Sequence, residues 1–167
     1  MKFASKYQSV LLVAITCLTF VTNAAAQESK SAGSMQTDTV VITETANSFL
    51  IAFKNLDWDR FADYFADDVT VFFPPSAKYP YRANDKAETL KIFKTVFENA
   101  RKRRQQAPYL DIDPKDVKLQ LFGQIAIETF TLDDPNLLSR RTIIWEKKGN
   151  TWRIIHLHAS GIPVDVN

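Results

Sequence analysis

The spacing of hydrophobic positions changes once along the chain, from a helical period to a strand period. From Asp38 onward, Val41, Thr45, Phe49, Ala52 and Phe53, with Leu50 beside them, recur at the three-and-four spacing of one helical face. Asp57 then stands where it can cap a second, shorter helix with Phe61, Tyr64 and Phe65 on one side. VTVFF at 69–73 is β-branched and aromatic, and it stops at Pro74 and Pro75, which cannot donate to a strand ladder. Asp85, followed three residues later by Glu88, has the form of a capping box, and Leu90, Phe93, Val96, Phe97 and Ala100 make the apolar stripe of a third helix. After Pro108 the pattern is that of strands, over about 117–122, 124–132, 138–147 and 151–160, parted by Gly123, by residues 133–136 and by Gly149 with Asn150. Three helices followed by antiparallel strands predict an α+β fold, the helices gathered on one face of a curved sheet.

The start of the chain does not join this pattern. Lys2 and Lys6, the apolar run Val10 to Val21 and the small residues Ala24, Ala25 and Ala26 have the form of a secretory signal over 1–26. Residues 27–37 are polar and small and read as a flexible lead-in, leaving 38–163 as the folded domain. The expectation is an exported protein, periplasmic or secreted, with no stable membrane insertion once the signal is cut. Cys17, the single cysteine, lies within the signal, so the mature chain is expected to have neither disulfides nor thiolate chemistry. Losing Lys2 and Lys6 from 21 basic residues leaves them equal in number to the 19 acidic ones. The basic excess therefore belongs to the signal and gives no reason to expect a nucleic-acid partner. The basic run 101–104 closes a helix, where cations oppose the dipole, and reads as a solvated face.

The last two strands carry most of the polar groups that could form a site. A two-residue turn at Gly149 and Asn150 would pair Trp145 with Ile154, Ile143 with His156 and Arg141 with His158, and on the opposite face Glu146 with Arg153 and Ile144 with Ile155. That register puts His156, His158 and Arg141 on one apolar face with Trp145 and Ile143, the composition of a small-ligand cavity. Both faces of the hairpin are largely apolar. One is expected to take the helices and the other a second copy of the chain, as a homodimer or larger ring.

RRTIIWEKKGNTWRIIHLHASGIP (140–163) resembles the C-terminal strands of the calcium/calmodulin-dependent kinase II association domain, in Trp145, Trp152, His156, His158, Ser160, Gly161 and Pro163. The wider order over about 38–163 resembles the NTF2-like superfamily, including SnoaL-like domains. The resemblance implies a cone, a strongly curved antiparallel sheet wrapped around the first helix with a pocket inside and an outer face used for oligomers. It does not imply kinase activity, since the chain has no Gly-rich loop, HRD or DFG motif. Positions matching two pocket arginines of the association domain hold Ile143 and Ala159, so the same acidic ligands are not implied.

Three candidates for acid or base work remain: Glu128, His156 and His158. Glu128 lies in an otherwise apolar strand, where desolvation would raise its pKa, although an ion pair with an arginine on the sheet face is the stronger expectation. The histidines could move protons near neutral pH, contact a ligand, or hold the strands through hydrogen bonds. They lack a properly spaced third ligand for a metal site. Arg141, Trp145, Ile143, Tyr81 and Arg82 complete the candidate ligand-binding set, with Tyr79, Tyr81 and Arg82 in a loop that the resemblance places near the cone mouth. Asp111 and Asp113 stand just ahead of Pro114 and are expected in a turn. No GxSxG, HExxH, CxxC or P-loop occurs. The expectation is a cofactor-free, non-catalytic domain that binds a small, partly apolar molecule or assembles with itself. The alternative is a cofactor-independent isomerase, cyclase or hydratase.

Overall fold

The computed structural model describes residues 36–74, 81–132 and 137–163. The expected signal, most of the expected lead-in and Tyr79 lie outside the described residues. The chain divides after Val40, and the unit that follows, Val41–Asn167, carries the sheet. Its helices are α1 (36–55, which begins ahead of the division), α2 (Trp58–Asp63) and α3 (Lys86–Arg103). Its strands are β1 (Phe65–Phe72), β2 (Arg82–Ala83), β3 (Pro114–Phe122), β4 (Ile125–Leu132), β5 (Leu137–Lys148) and β6 (Thr151–Pro163).

The helix ends follow the signals in the sequence. Leu56 takes a positive φ of 53°, the Asp57 amide turns back to the Ala52 carbonyl at 2.9 Å, and α1 stops there. The Asp57 carboxylate then caps α2, accepting from the Arg60 amide. Asp85 accepts from the Glu88 amide at 2.8 Å, while the Glu88 carboxylate reaches one residue past the usual box, to the Asn84 amide at 2.9 Å. Arg101, from the basic run, donates to the Leu56 carbonyl, and Arg104 pairs with Asp111. These two cations tie the end of α3 to neighbouring segments.

The apolar faces differ slightly from the expected stripes. On α1 the fully buried positions are Ile42, Ala46, Phe49 and Ala52, with Val41 and Phe53 half-buried. The second helix is shorter than expected, because Tyr64 caps it and Phe65 already begins β1. The rings of Phe49, Phe61, Phe65, Phe93 and Phe97 meet at the centre, with Phe61 touching the other four at centroid separations of 4.9–5.4 Å.

The six strands form one strongly curved sheet in the order β2-β1-β6-β5-β4-β3. Hairpins fix β3, β4, β5 and β6 antiparallel, and Gly149 supplies the positive φ of 64° that the last turn needs. The sheet is mixed rather than antiparallel throughout, because β1 pairs with β6 in parallel. No tight turn joins those two strands, so nothing local dictates their relative direction.

The register of the last hairpin departs from expectation at one residue. Lys148 faces Thr151, Glu146 faces Arg153 and Trp145 faces Ile154, as the two-residue turn requires. A β-bulge at Ile155 then makes Ile144 face His156, Ile143 face Leu157, Thr142 face His158 and Arg141 face Ala159. The pairings of Ile143 with His156 and of Arg141 with His158 are therefore corrected. One extra residue reverses the side-chain alternation beyond it, so Leu157 and Ala159 turn inward and both histidines turn outward.

Candidate functional site

A cavity of about 330 Å³ lies between the helices and the inner face of the sheet. This is within the range of small-molecule pockets. Phe49, Leu50 and Phe53 of α1 form one wall, Phe93 and Val96 of α3 another, and Phe130, Leu132, Leu157 and Ala159 the sheet side. Phe73, Pro74, Leu110 and Ile112 close the remaining edge. Among the described lining residues, Arg141 alone carries a charge.

Arg141 reaches this position because it shares the inner face of β5 with Ile143 and Trp145, upstream of the bulge's partner. Its Nη1 donates to the Arg140 carbonyl at 2.8 Å and to the Ser160 carbonyl at 3.2 Å. Burial pulls the guanidinium pKa below its ordinary value, yet arginine stays a cation near neutrality. No carboxylate among the described residues pairs with it.

Glu128 is on the inner face but outside the cavity lining. It is 2% exposed and accepts a 3.1 Å hydrogen bond from Trp145 Nε1. Burial raises its pKa above the usual 4.5, against the smaller opposing effect of the indole hydrogen bond. Trp145 is fully buried, edge-on to Phe49 at 5.7 Å and to Tyr64 at 6.2 Å, and Ile143 is 1% exposed. Both stand in the packed core beside the cavity and do not line it.

A raised carboxyl pKa has a defined sign in stability. Between the ordinary value and the folded one, the native chain holds a proton that the unfolded chain has lost. Stability therefore falls as pH rises through that window and is level above it. Glu128→Gln keeps an acceptor for the indole and has no proton to lose. Its urea stability should match the parent near pH 4 and exceed it at pH 8, the gap opening at about 1.4 kcal/mol per pH unit across the window. Parallel pH profiles for the two proteins would contradict the assignment.

The histidines stand on the outer face of the sheet. His156 is half-buried, with Nδ1 at 2.7 Å from Thr70 Oγ1, while His158 is exposed. Phe72 lies between them, 5.7 Å from the His156 ring and 5.8 Å from the His158 ring, and the Arg82 guanidinium covers it at 5.6 Å. Burial first, then the charges of His158 and Arg82, push the His156 pKa below its ordinary value. Tyr81 is exposed, and its carbonyl accepts from the Phe73 amide. Thus His156, His158, Tyr81 and Arg82 are not among the residues lining the cavity. Asp111 and Asp113 lie between α3 and β3, paired with Arg104 and Lys115. Among the described residues no three His, Cys, Asp or Glu side chains gather to hold a metal ion.

Several lining residues carried no recognisable signal in the sequence. Leu110 and Ile112 alternate with Asp111 and Asp113, a period-two signal that the aspartates and Pro114 obscured. Phe130 and Leu132 alternate inward from Glu128 along β4.

Helices laid into a strongly curved mixed sheet, with a cavity between, make this an NTF2-like fold. The SnoaL-like domain model matches residues 42–165, and the chain belongs to that family. Among solved structures, it is similar to a candidate dehydratase of the NTF2-like family from Streptomyces avermitilis, at 18% identity and a TM-score of 0.61, over 76% of this chain and 97% of that one. It is also similar to a candidate ketosteroid isomerase from Parabacteroides distasonis, at 20% identity and a TM-score of 0.52, over 72% and 85% of the two chains. A candidate calcium/calmodulin-dependent kinase II association domain from Thiobacillus denitrificans matches at 18% identity and a TM-score of 0.56, over 71% and 92%. At such identities the shared feature is the fold. No curated protein matches the chain.

Proposed function

We propose that this SnoaL-like domain is a non-catalytic binding protein whose inner cavity takes a small, largely apolar molecule. The observation that carries the reading is the composition of the cavity wall: aliphatic and aromatic side chains with one arginine among the described residues. The enzymatic alternative, a cofactor-independent isomerase, cyclase or hydratase, needs a carboxylate or imidazole beside the bound molecule. Glu128 is engaged by Trp145, and the two histidines stand across the sheet. Arginine remains protonated near neutrality and makes a poor general base.

Export and self-association complete the proposal. The signal-like start supports export, which recovery of a mature chain beginning at Gln27 from a periplasmic fraction would test. Leu138 and Ile162 pair on the outer face of the sheet, 38% and 50% exposed, which supports a second copy there. A monomer in sedimentation equilibrium would remove that part of the proposal.

Ala159→Phe tests the binding reading. The added ring enters the cavity from β6 and occupies the space a ligand needs. Titrating 2-naphthylmethanol by calorimetry should give saturable binding to the parent and loss of at least tenfold in affinity in the variant, with the native circular dichroism retained. Equal binding by both proteins, or steady turnover of a β,γ-unsaturated ketone abolished by Glu128→Gln, would overturn it.

A further inference from the structure

The charge balance of the cavity narrows what it holds. Arg141 is half-buried, and a guanidinium partly withdrawn from water is costly unless an anion or several acceptors face it. Arg141 has two backbone carbonyl acceptors, both on Nη1, and among the described residues none for Nε or Nη2. Those two nitrogens form one edge of the planar fork that grips a carboxylate with two parallel hydrogen bonds. The rest of the described wall is apolar, with Phe53, Phe93, Phe130 and Leu157 in it. A neutral apolar ligand would leave the cation unanswered, and a small polar anion would leave the rings unfilled.

We propose that the ligand is an apolar monocarboxylate, its carboxylate held by Arg141 and its hydrocarbon body against the aromatic wall. This rests on the proposed binding function and adds the ligand's class. At about 330 Å³ the cavity has roughly twice the volume of a dry cavity of about 150 Å³ that admits benzene. That leaves room for a two-ring or medium-chain skeleton. The arginine holds such an acid without altering it, since no group in the described wall exchanges protons near neutral pH.

Matched acids and alcohols separate the charge from the body. Calorimetry at pH 7.5 would compare 2-naphthoate with 2-naphthylmethanol, and decanoate with 1-decanol, against the parent, Arg141→Met and Arg141→Gln. The parent should prefer each acid over its alcohol by about tenfold or more, the effect of a charge-assisted pair out of water. Both variants should lose that preference and keep alcohol binding. The two pairs distinguish an aromatic acid from a fatty acid as the better-fitting body. Parent protein that binds acid and alcohol equally overturns the monocarboxylate assignment while the binding reading stands, and so does a preference that survives both substitutions. Failure of the parent to bind any of the four overturns both. The preference within the parent decides the question even where a variant does not fold.

Discussion

Exchanging His156 and Leu157 should destabilise the domain by about 3–5 kcal/mol, whereas deleting Ile155 should leave it folded. The bulge at Ile155 is what places Leu157 and Ala159 inside and His156 and His158 outside. When the extra residue is removed, alternation runs unbroken from Ile154, a fully buried inward residue, so His156 still turns outward and Leu157 and Ala159 still turn inward. The pairs of Ile144 with His156 and of Ile143 with Leu157 survive, and only the kink is lost. The exchange instead sends an imidazole into an apolar interior and removes the Thr70 partner of His156. A buried polar group without a partner costs about 1–3 kcal/mol, and the buried Leu157 contributes about 2 kcal/mol through its apolar area. Urea unfolding measures both variants. An exchange variant as stable as the parent would show that the bulge does not determine the facing of β6.

Trp145→Ala should destabilise the domain by about 5 kcal/mol. The indole is fully buried, packs edge-on to Phe49 and Tyr64, and donates to Glu128. Truncating a buried aromatic to alanine costs about 3–5 kcal/mol, and an acid left without its donor adds about 1–3 kcal/mol. Trp145→Phe separates the two effects, keeping most of the ring volume while removing the N–H. Urea unfolding of the parent, both variants, Glu128→Met, which offers the indole no oxygen acceptor, and each variant combined with Glu128→Met would measure the coupling as a double-mutant cycle. Additive effects would mean that the hydrogen bond contributes nothing beyond packing.

The fold was largely legible in the sequence because its cues are local. Asp57 and Asp85 cap the helices expected of them, and Gly149 with Asn150 makes the two-residue turn that sets the first pairs of the last hairpin. Glu128 stood out as an isolated charge in an apolar strand, and it is buried. Two features had no local cue. The parallel pairing of β1 with β6 joins strands far apart in the chain, so no turn residue records it. The bulge rests on Ile155, an ordinary strand residue within an apolar run, where one extra isoleucine leaves no break in the pattern. That bulge decided the site. Arg141 kept its inward place with Ile143 and Trp145, while the histidines expected beside it went to the other face.

The inner cavity and the outer histidine face are thus rival locations for any bound molecule, and methyl-resolved NMR during titration with 2-naphthoate tests them most directly. Binding inside should give saturable shifts confined to methyls lining the cavity, those of Leu110, Ile112, Leu157 and Ala159, with the methyls of Ile127, Ile144 and Leu138 unmoved. Saturable shifts at Ile144 and Leu138, together with the imidazole protons of His156 and His158 and with the cavity methyls silent, would contradict it.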